Sequence, residues 1–472
     1  VAQNHSSISV ALYVVALILV FFGIFALKPE WKDFLLPKEP DTQQTSKQNL
    51  KEIKERFGSN APKENKQEKQ ENSVSDANSK RLPIKKDSSI ALTQSRLLPD
   101  SLQSAIAIQY PDGNRQALYQ FFKSLERLEN GEKQLYRVLH YGDSQLEGDR
   151  ISYTLRKNLQ ERFGGCGAGL QGATNYTNVK FSVLQENDSR WKNYFVLGRN
   201  KANFGVLSYC FQLDSLAEVL FRKSDKASAL HQRVENVKVF FRNPLSLRLE
   251  EKNVFQEKTF ESQEVSVASF NLSEPFEELK IQFRGSSKTE VYGISLDCHK
   301  GIAVDNIPIR GSAGLEFRKM NVAYLQKQMK NLQVSLVILQ FGVNVTMNSK
   351  DYSFYERKFV EEVLFLKKCI PNASFLLIGI SDRSYKTLNG YASYPAVVLL
   401  RDTQKRIAAQ TGCAFWDLYE AMGGKNSMPQ WVAEDLASKD FIHFKPKGAE
   451  LVGNMLAEAL LQEYNKFKGF SP

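Results

Sequence analysis

The chain has 472 residues, 42% hydrophobic and 24% charged, with 63 Lys and Arg against 52 Asp and Glu and a net charge of +11. That length implies more than one folding unit, and the composition excludes a wholly disordered, collagen-like or disulfide-scaffold protein. The positive balance suggests an anionic partner such as nucleic acid, anionic lipid or an acidic cell-envelope polymer, while a base working near neutral pH must come from five histidines, His5, His140, His231, His299 and His443.

Residues 8–27, ISVALYVVALILVFFGIFAL, carry no charge over 20 residues, enough to cross a bilayer as a helix. The run exceeds a signal-peptide core and no small-x-small site follows it before Lys28, so residues 1–30 read as an uncleaved membrane anchor. Residues 31–95 are rich in Lys, Glu, Gln, Asn and Ser and read as a disordered tether, with a charged helical stalk around Ser46 to Phe57 as the alternative.

Leu118, Phe121, Phe122, Leu125 and Leu128 have helical spacing. A buried strand then runs from Gln134 to a turn at Ser144, and an amphipathic helix follows as far as Gly164 and Gly165. Between residues 175 and 297 the pattern changes to short alternating runs such as VENVKVFFR and ELKIQFRG separated by turn residues, which reads as a β-sandwich. The α/β rhythm then resumes, with strands at GIAVDNI, SLVILQFGVN, ASFLLIGISD and CAFWDLY. Helices alternate with them over residues 315–332, 352–369, 396–410 and 446–467. The sequence therefore predicts an α/β domain with a parallel sheet, made of residues 96–174 and 298–472, interrupted by an inserted β-sandwich domain. Net charge is +3 for residues 1–95, +1 for the insert and +7 for the α/β part, so the excess sits mainly on the last.

Three short motifs fall at the carboxyl ends of predicted strands, where open α/β sheets place their sites. Gly142-Asp143-Ser144 puts a serine at a strand-to-helix turn, a position that suits a nucleophile and equally a helix cap. Phe341-Gly342-Val343-Asn344 offers a side-chain amide able to donate to an oxyanion. In Asp440-Phe441-Ile442-His443 the carboxylate is spaced to hold one imidazole nitrogen and leave the other as a base. In this order these motifs resemble the SGNH (GDSL) hydrolase family, and Gly311 in VDNIPIRGSAG matches its remaining block. The GDSQLEGDR stretch, the inserted β module and the WDLYEAMGG…DFIHFKPKG block look most like the bacterial peptidoglycan O-acetylesterase branch, from about Gln134 to Leu461.

The resemblance implies a three-layer α/β/α, flavodoxin-like fold and an insert similar to a carbohydrate-binding module. It implies Ser144 as nucleophile, His443 as base and Asp440 as its orienter, with an oxyanion hole from the Ser144 and Gly311 amides and the Asn344 side chain. The activity implied is removal of O-acetyl groups from a cell-envelope glycan such as peptidoglycan, with the protein anchored in a bacterial inner membrane and its catalytic domain in the periplasm or outside the cell. The alternatives are an O-acetyltransferase, served by a membrane acetyl-transfer partner, and a non-catalytic glycan-binding protein. Gln145 stands where that branch usually has His, and Val343-Asn344-Val345 replaces a more familiar Thr-Asn-Glu.

Gln145, Asp305, Arg310 and Asp382 are the substrate-contact candidates; an ion pair fixing the Gly311 loop is the other reading of Asp305 and Arg310. Trp191, Tyr194, Phe195 and Tyr209 could stack on sugars or fill the sandwich core, and His140 reads as packed. His231 and His299 lack metal-ligand spacing, the five cysteines form no CxxC pair, and the glycines of GGCGAG follow a helix, so no metal, cofactor or nucleotide is expected. Cys210 and Cys298 could bridge, although buried free thiols read better, and no nucleic-acid motif is present.

Overall fold

The computed structural model describes residues 42–58, 100–177, 181–272 and 276–470. The anchor at 8–27 and most of the tether lie outside them; among the described residues no helix is long and apolar enough to cross a membrane. In chain order the strands are β1 (Ile108–Gln109), β2 (Leu135–Gly142), β3 (Gly169–Gln171), β4 (Val183–Glu186), β5 (Trp191–Phe195), β6 (Tyr209–Leu213), β7 (Leu216–Lys223), β8 (Asn236–Arg242), β9 (Leu245–Glu251) and β10 (Val254–Phe260). They continue as β11 (Ser266–Asn271), β12 (Glu278–Arg284), β13 (Glu290–Asp297), β14 (Gly301–Pro308), β15 (Val334–Gln340), β16 (Ser374–Ile378), β17 (Ser384–Thr387), β18 (Gly390–Ser393) and β19 (Ala414–Trp416). The longer helices are α1 (Thr42–Phe57), α2 (Tyr119–Glu129), α3 (Arg150–Phe163), α4 (Val322–Leu332), α5 (Ser353–Cys369), α6 (Pro395–Thr411), α7 (Ser427–Ala433) and α8 (Pro446–Phe470).

The main sheet has the order β1-β19-β16-β15-β2-β14, parallel throughout except for the short edge strand β1. Every residue of β2, β14, β15 and β16 is buried, as a parallel sheet covered on both faces requires. Alternate side chains feed two cores. Tyr136, Val138, Ile302, Val304, Leu336 and Ile338 meet α2, α3 and α8 on one face. Leu139, Tyr141, Ile307, Val337 and Leu339 meet α4, α5 and α6 on the other, where the core runs on without a break into the insert.

The insert is a sandwich of two antiparallel sheets, β10-β9-β12-β7-β4 and β11-β8-β13-β6-β5, with β3 added on β13. Val219, Ile281 and Leu249 line up in register across β7, β12 and β9 and are buried, while their neighbours along each strand are more exposed. Because β3 already belongs to the sandwich, the insert begins at about Gly169, a few residues ahead of the expected boundary.

Three sequence expectations change here. The disulfide joins Cys166 to Cys298, with Cα atoms 5.1 Å apart, while Cys210, Cys369 and Cys413 are buried free thiols. Cys210 lies in β6, which pairs with the Glu290–Val291 end of β13, whereas Cys298 sits just beyond the other end of that strand. Asp305 does not pair with Arg310 or line a groove. It is fully buried in β14, where it accepts from Arg137 at 2.5 Å and from the Leu170 amide at 2.8 Å. Arg137 also reaches Asp297 of β13 at 2.5 Å, so this buried cluster joins the insert to the main sheet. The segment read as tether contains α1, whose Leu50, Ile53 and Phe57 are buried at 4%, 1% and 6% exposure. That apolar stripe outweighs the polar composition of the rest of the helix, and Asn454 of α8 holds its last carbonyl at 2.8 Å. His231, which lacks metal-ligand spacing, is buried, its ring edge-to-face with Tyr153 at 4.5 Å.

Candidate active site

Three adjacent strands, β14, β2 and β15, end side by side and present the Gly311 loop, the Ser144 turn and the Asn344 loop. Their loops are laced together. The Ile309 amide donates to Gly142 O at 2.7 Å, and Asn344 Nδ2 donates to Ser312 O at 3.0 Å. Asp143 accepts from the Gln145 amide at 3.0 Å through one oxygen and from the Gly342 and Val343 amides at 3.1 and 3.2 Å through the other. Burial pushes the Asp143 carboxyl up to about 6, although these amides and His443 pull it down. Its role is therefore to splice two loops together.

Ser144 opens the turn after β2, and its Oγ lies 2.8 Å from His443 Nε2. His443 Nδ1 lies 2.7 Å from Asp440 Oδ2. The other Asp440 oxygen accepts from the Ile442 and His443 amides at 2.9 and 3.0 Å. Partial burial would raise this carboxyl, but the bonds from His443 and Ile442 outweigh it and hold Asp440 below its usual value. Phe441, between the two, takes a left-handed φ of 58°, unusual for a bulky side chain. It is held there by face-to-face stacking on Tyr391, with centroids 3.6 Å apart, and by the Ser384 amide donating to its carbonyl at 3.3 Å. Both partners lie in the β17–β18 hairpin, which the sequence did not announce.

Gly311 has φ of 85°, in a turn whose one hydrogen bond runs from the Ser312 amide to Ile309 O. That leaves the Gly311 N–H for another acceptor, and glycine is the residue that tolerates the conformation. Gly311 and Asn344 are both exposed, and so is Asp440, so the site lies on an open face. Leu197 of the insert borders it: a Cβ built on Gly311 would meet nothing closer than Leu197 Cδ1 at 3.9 Å.

The substrate-contact candidates separate. Arg310 is 73% exposed and pairs with Glu147 at 2.9 Å, beside the Ser144 turn. Gln145 is buried, donating to Ile442 O at 2.7 Å and accepting from the Phe444 amide at 3.2 Å, so it faces the histidine loop and cannot face a substrate. Asp382 is also fully buried, where it accepts from the Met428 amide at 2.9 Å in the first turn of α7. Arg383, beside it, braces the Asn344 loop by donating to Val343 O at 2.9 Å. His140 is buried below the site between Gln340 and Ser152, each 3.0 Å away, and burial pushes its pKa down to about 3, so it is neutral. Trp191 packs in the sandwich edge-on to Phe283, whereas Phe195 and Tyr209 stack at 4.5 Å and stay partly exposed.

Arg150 went unnoticed in the sequence. Its guanidinium donates to Glu147 O at 2.7 Å, Ser144 O at 2.7 Å and Phe444 O at 2.9 Å. One signal was present: a cation at the first position of a helix opposes the helix dipole and needs some compensating partner.

The arrangement can move a proton from a serine hydroxyl to an imidazole backed by a carboxylate. Among the described residues the one group of candidate metal ligands is Cys166, Glu235 and Cys298, whose cysteines are spent in the disulfide.

No protein-family model and no curated protein matches the sequence. Among solved structures, a peptidoglycan O-acetylesterase superposes with a TM-score of 0.64 at 22% identity, covering 76% of this chain and 99% of that one. An acetyl xylan esterase (TM-score 0.27, 14% identity, 34% of this chain and 81% of that one) and a psychrotrophic esterase from Pseudoalteromonas sp. (0.26, 14%, 35% and 79%) match too weakly to bear on the fold. The first match spans more of the chain than its two α/β segments contain, so the insert is part of what is shared. The chain shares the fold of that peptidoglycan O-acetylesterase over both α/β segments and the insert.

Proposed function

We propose that the protein is a serine esterase that removes O-acetyl groups from a cell-envelope glycan such as peptidoglycan. The observation that carries this reading is the Ser144–His443–Asp440 relay, with contacts of 2.8 and 2.7 Å. His443 Nε2 takes the Ser144 proton as Oγ bonds to the acetyl carbon, and the carbonyl electron pair moves onto oxygen. The Ser144 and Gly311 amides and the second N–H of the Asn344 amide hold that oxyanion. Collapse breaks the bond to the sugar oxygen, which takes the proton from His443. Water, deprotonated by His443, then attacks the acetyl-serine; acetate leaves and Ser144 recovers its proton. Asp440 remains ionised throughout and stabilises the imidazolium.

A polymer substrate is favoured by the open setting of the relay, since half-buried Ser144 sits among the exposed Gly311, Asn344 and Asp440 and an ester on a bulky chain can approach that face. The fold shared with a peptidoglycan O-acetylesterase favours the same class. An exported location is supported by the Cys166–Cys298 disulfide, a bond kept in oxidising compartments. Released acetate should be measured with an aryl acetate, O-acetylated peptidoglycan and acetylated xylan. Ser144→Ala is expected to abolish release from the first two; wild-type rates from this variant overturn the reading.

A further inference from the structure

The Ser144–His443 hydrogen bond joins residues 299 positions apart, and Asp440 cannot set its length. Asp440 lies three residues from His443 on the same loop, so it fixes the ring against its own backbone and not against the serine. The direct ties between the two sides come from Gln145 and Arg150. The Gln145 amide bridges the residues that flank His443, donating to Ile442 O at 2.7 Å and accepting from the Phe444 N–H at 3.2 Å. This mimics the double hydrogen bond between paired strands. Arg150 spans the same gap from below, with one nitrogen on Ser144 O at 2.7 Å and another on Phe444 O at 2.9 Å. Its third donor holds Glu147 O at 2.7 Å, closing the irregular turn that carries the serine into α3. On the far flank, the Phe441–Tyr391 stack and the Ser384 amide keep the histidine loop from swinging the other way.

We propose that Gln145 and Arg150 are positioning residues that clamp the His443 backbone to the Ser144 turn and so set the proton-transfer distance; this rests on the esterase reading above. Both side chains make their hydrogen bonds to main-chain groups of the Ser144 turn and the His443 loop. Gln145 suits the task because one planar amide supplies a donor and an acceptor together. Arg150 suits it because only a guanidinium can reach three carbonyls from one rigid fork. A displacement of about 1 Å at a reacting pair costs on the order of 10²-fold in rate. That sets the size of the expected effect.

The test is a kinetic cycle on the full chain with an aryl acetate. Gln145→Glu keeps the side-chain shape and the acceptor for Phe444 but loses the donor to Ile442, so kcat should fall by about 10- to 100-fold with KM within twofold of wild type. In a His443→Ala background the same substitution should change the residual rate by less than twofold, because nothing remains to be positioned. Arg150→Ala should lose kcat similarly and regain part of it in added guanidinium, while Arg150→Lys should stay impaired. The clamp is overturned if Gln145→Glu leaves kcat intact, or if it lowers the rate equally with and without His443, as a general loss of structure would do. Should Arg150→Ala fail to fold, the Gln145 cycle decides alone. Ser144→Ala and His443→Ala serve as controls: if they keep activity the esterase reading fails, whereas if they lose it and Gln145→Glu does not, only the clamp fails.

Discussion

Asn344 spends one N–H on Ser312 O and so links the Gly311 and Asn344 loops before any substrate arrives. Replacing it removes both that link and the proposed oxyanion donor. Asn344→Ala should lower kcat by about 10²- to 10³-fold, with an unfolding midpoint near that of wild type, because the residue is exposed. Asp143 shows the opposite balance. It lies beside Ser144, the proposed nucleophile, yet its burial and three amide donors make it a splice between loops. The relay residues could be named from the sequence because their roles depend on residue type and short spacing. The clamp could not, since Gln145 and Arg150 meet their partners near residue 443 only after the sheet and α8 are built.

At the level of elements, the sandwich is attached through a narrow neck. Cys166 lies just before β3 and Cys298 just after β13, so the disulfide ties the insert's two ends where it leaves the α/β domain. The chains run very close there: a Cβ on Gly167, at φ of 84°, would fall 2.0 Å from Leu296 O. Closing a loop of 132 residues constrains the unfolded chain, and the replacement of both cysteines by serine should cost about 2–5 kcal/mol, read as a lower denaturant midpoint. The Arg137–Asp297–Asp305 cluster would still hold the neck, so the variant should keep its esterase rate below the melting range. The two-residue spacing of GxN and the three-residue spacing of DxxH are local. The pairing of Cys166 with Cys298 is not, and no cysteine spacing could have revealed it.

Across the whole molecule, the shared core on one face of the main sheet makes the insert and the α/β domain one packed body around an open site. Several titratable groups are enclosed in the packing. His231 has no hydrogen-bond partner on either ring nitrogen, and burial pushes its pKa down to about 2. The folded state therefore keeps it neutral while the unfolded chain, at about 6.5, takes up a proton, so its contribution to stability declines as pH falls below about 6.5. His140 acts in the same direction. Asp143 and Asp417, pushed up to about 6 by burial, act the other way: their favourable contribution is complete below about 3.9 and is lost as pH rises through 6. Comparing two proteins that share these carboxyls isolates the histidine. Relative to wild type, His231→Leu should gain about 2 kcal/mol between pH 8 and pH 5, measured as the widening gap between urea midpoints at the two values.

The sequence by itself determined the α/β frame and the inserted sandwich, and singled out Ser144, Asp440 and His443, which the fold brings together. Hydrophobic period is a local property of the chain, and each motif sits directly at the end of the strand or before the helix that positions it. Only the tertiary structure decided which polar residues face the site and which lie beneath it. Asp305, Asp382 and Gln145 all follow or flank site motifs in sequence, yet their side chains are turned inward to Arg137, the start of α7 and the His443 loop. A strand alternates its faces every residue and a turn redirects the chain beyond it, so closeness along the chain does not fix direction in space. The same holds for α1, where three apolar residues spaced along one face brought a polar segment down onto the domain.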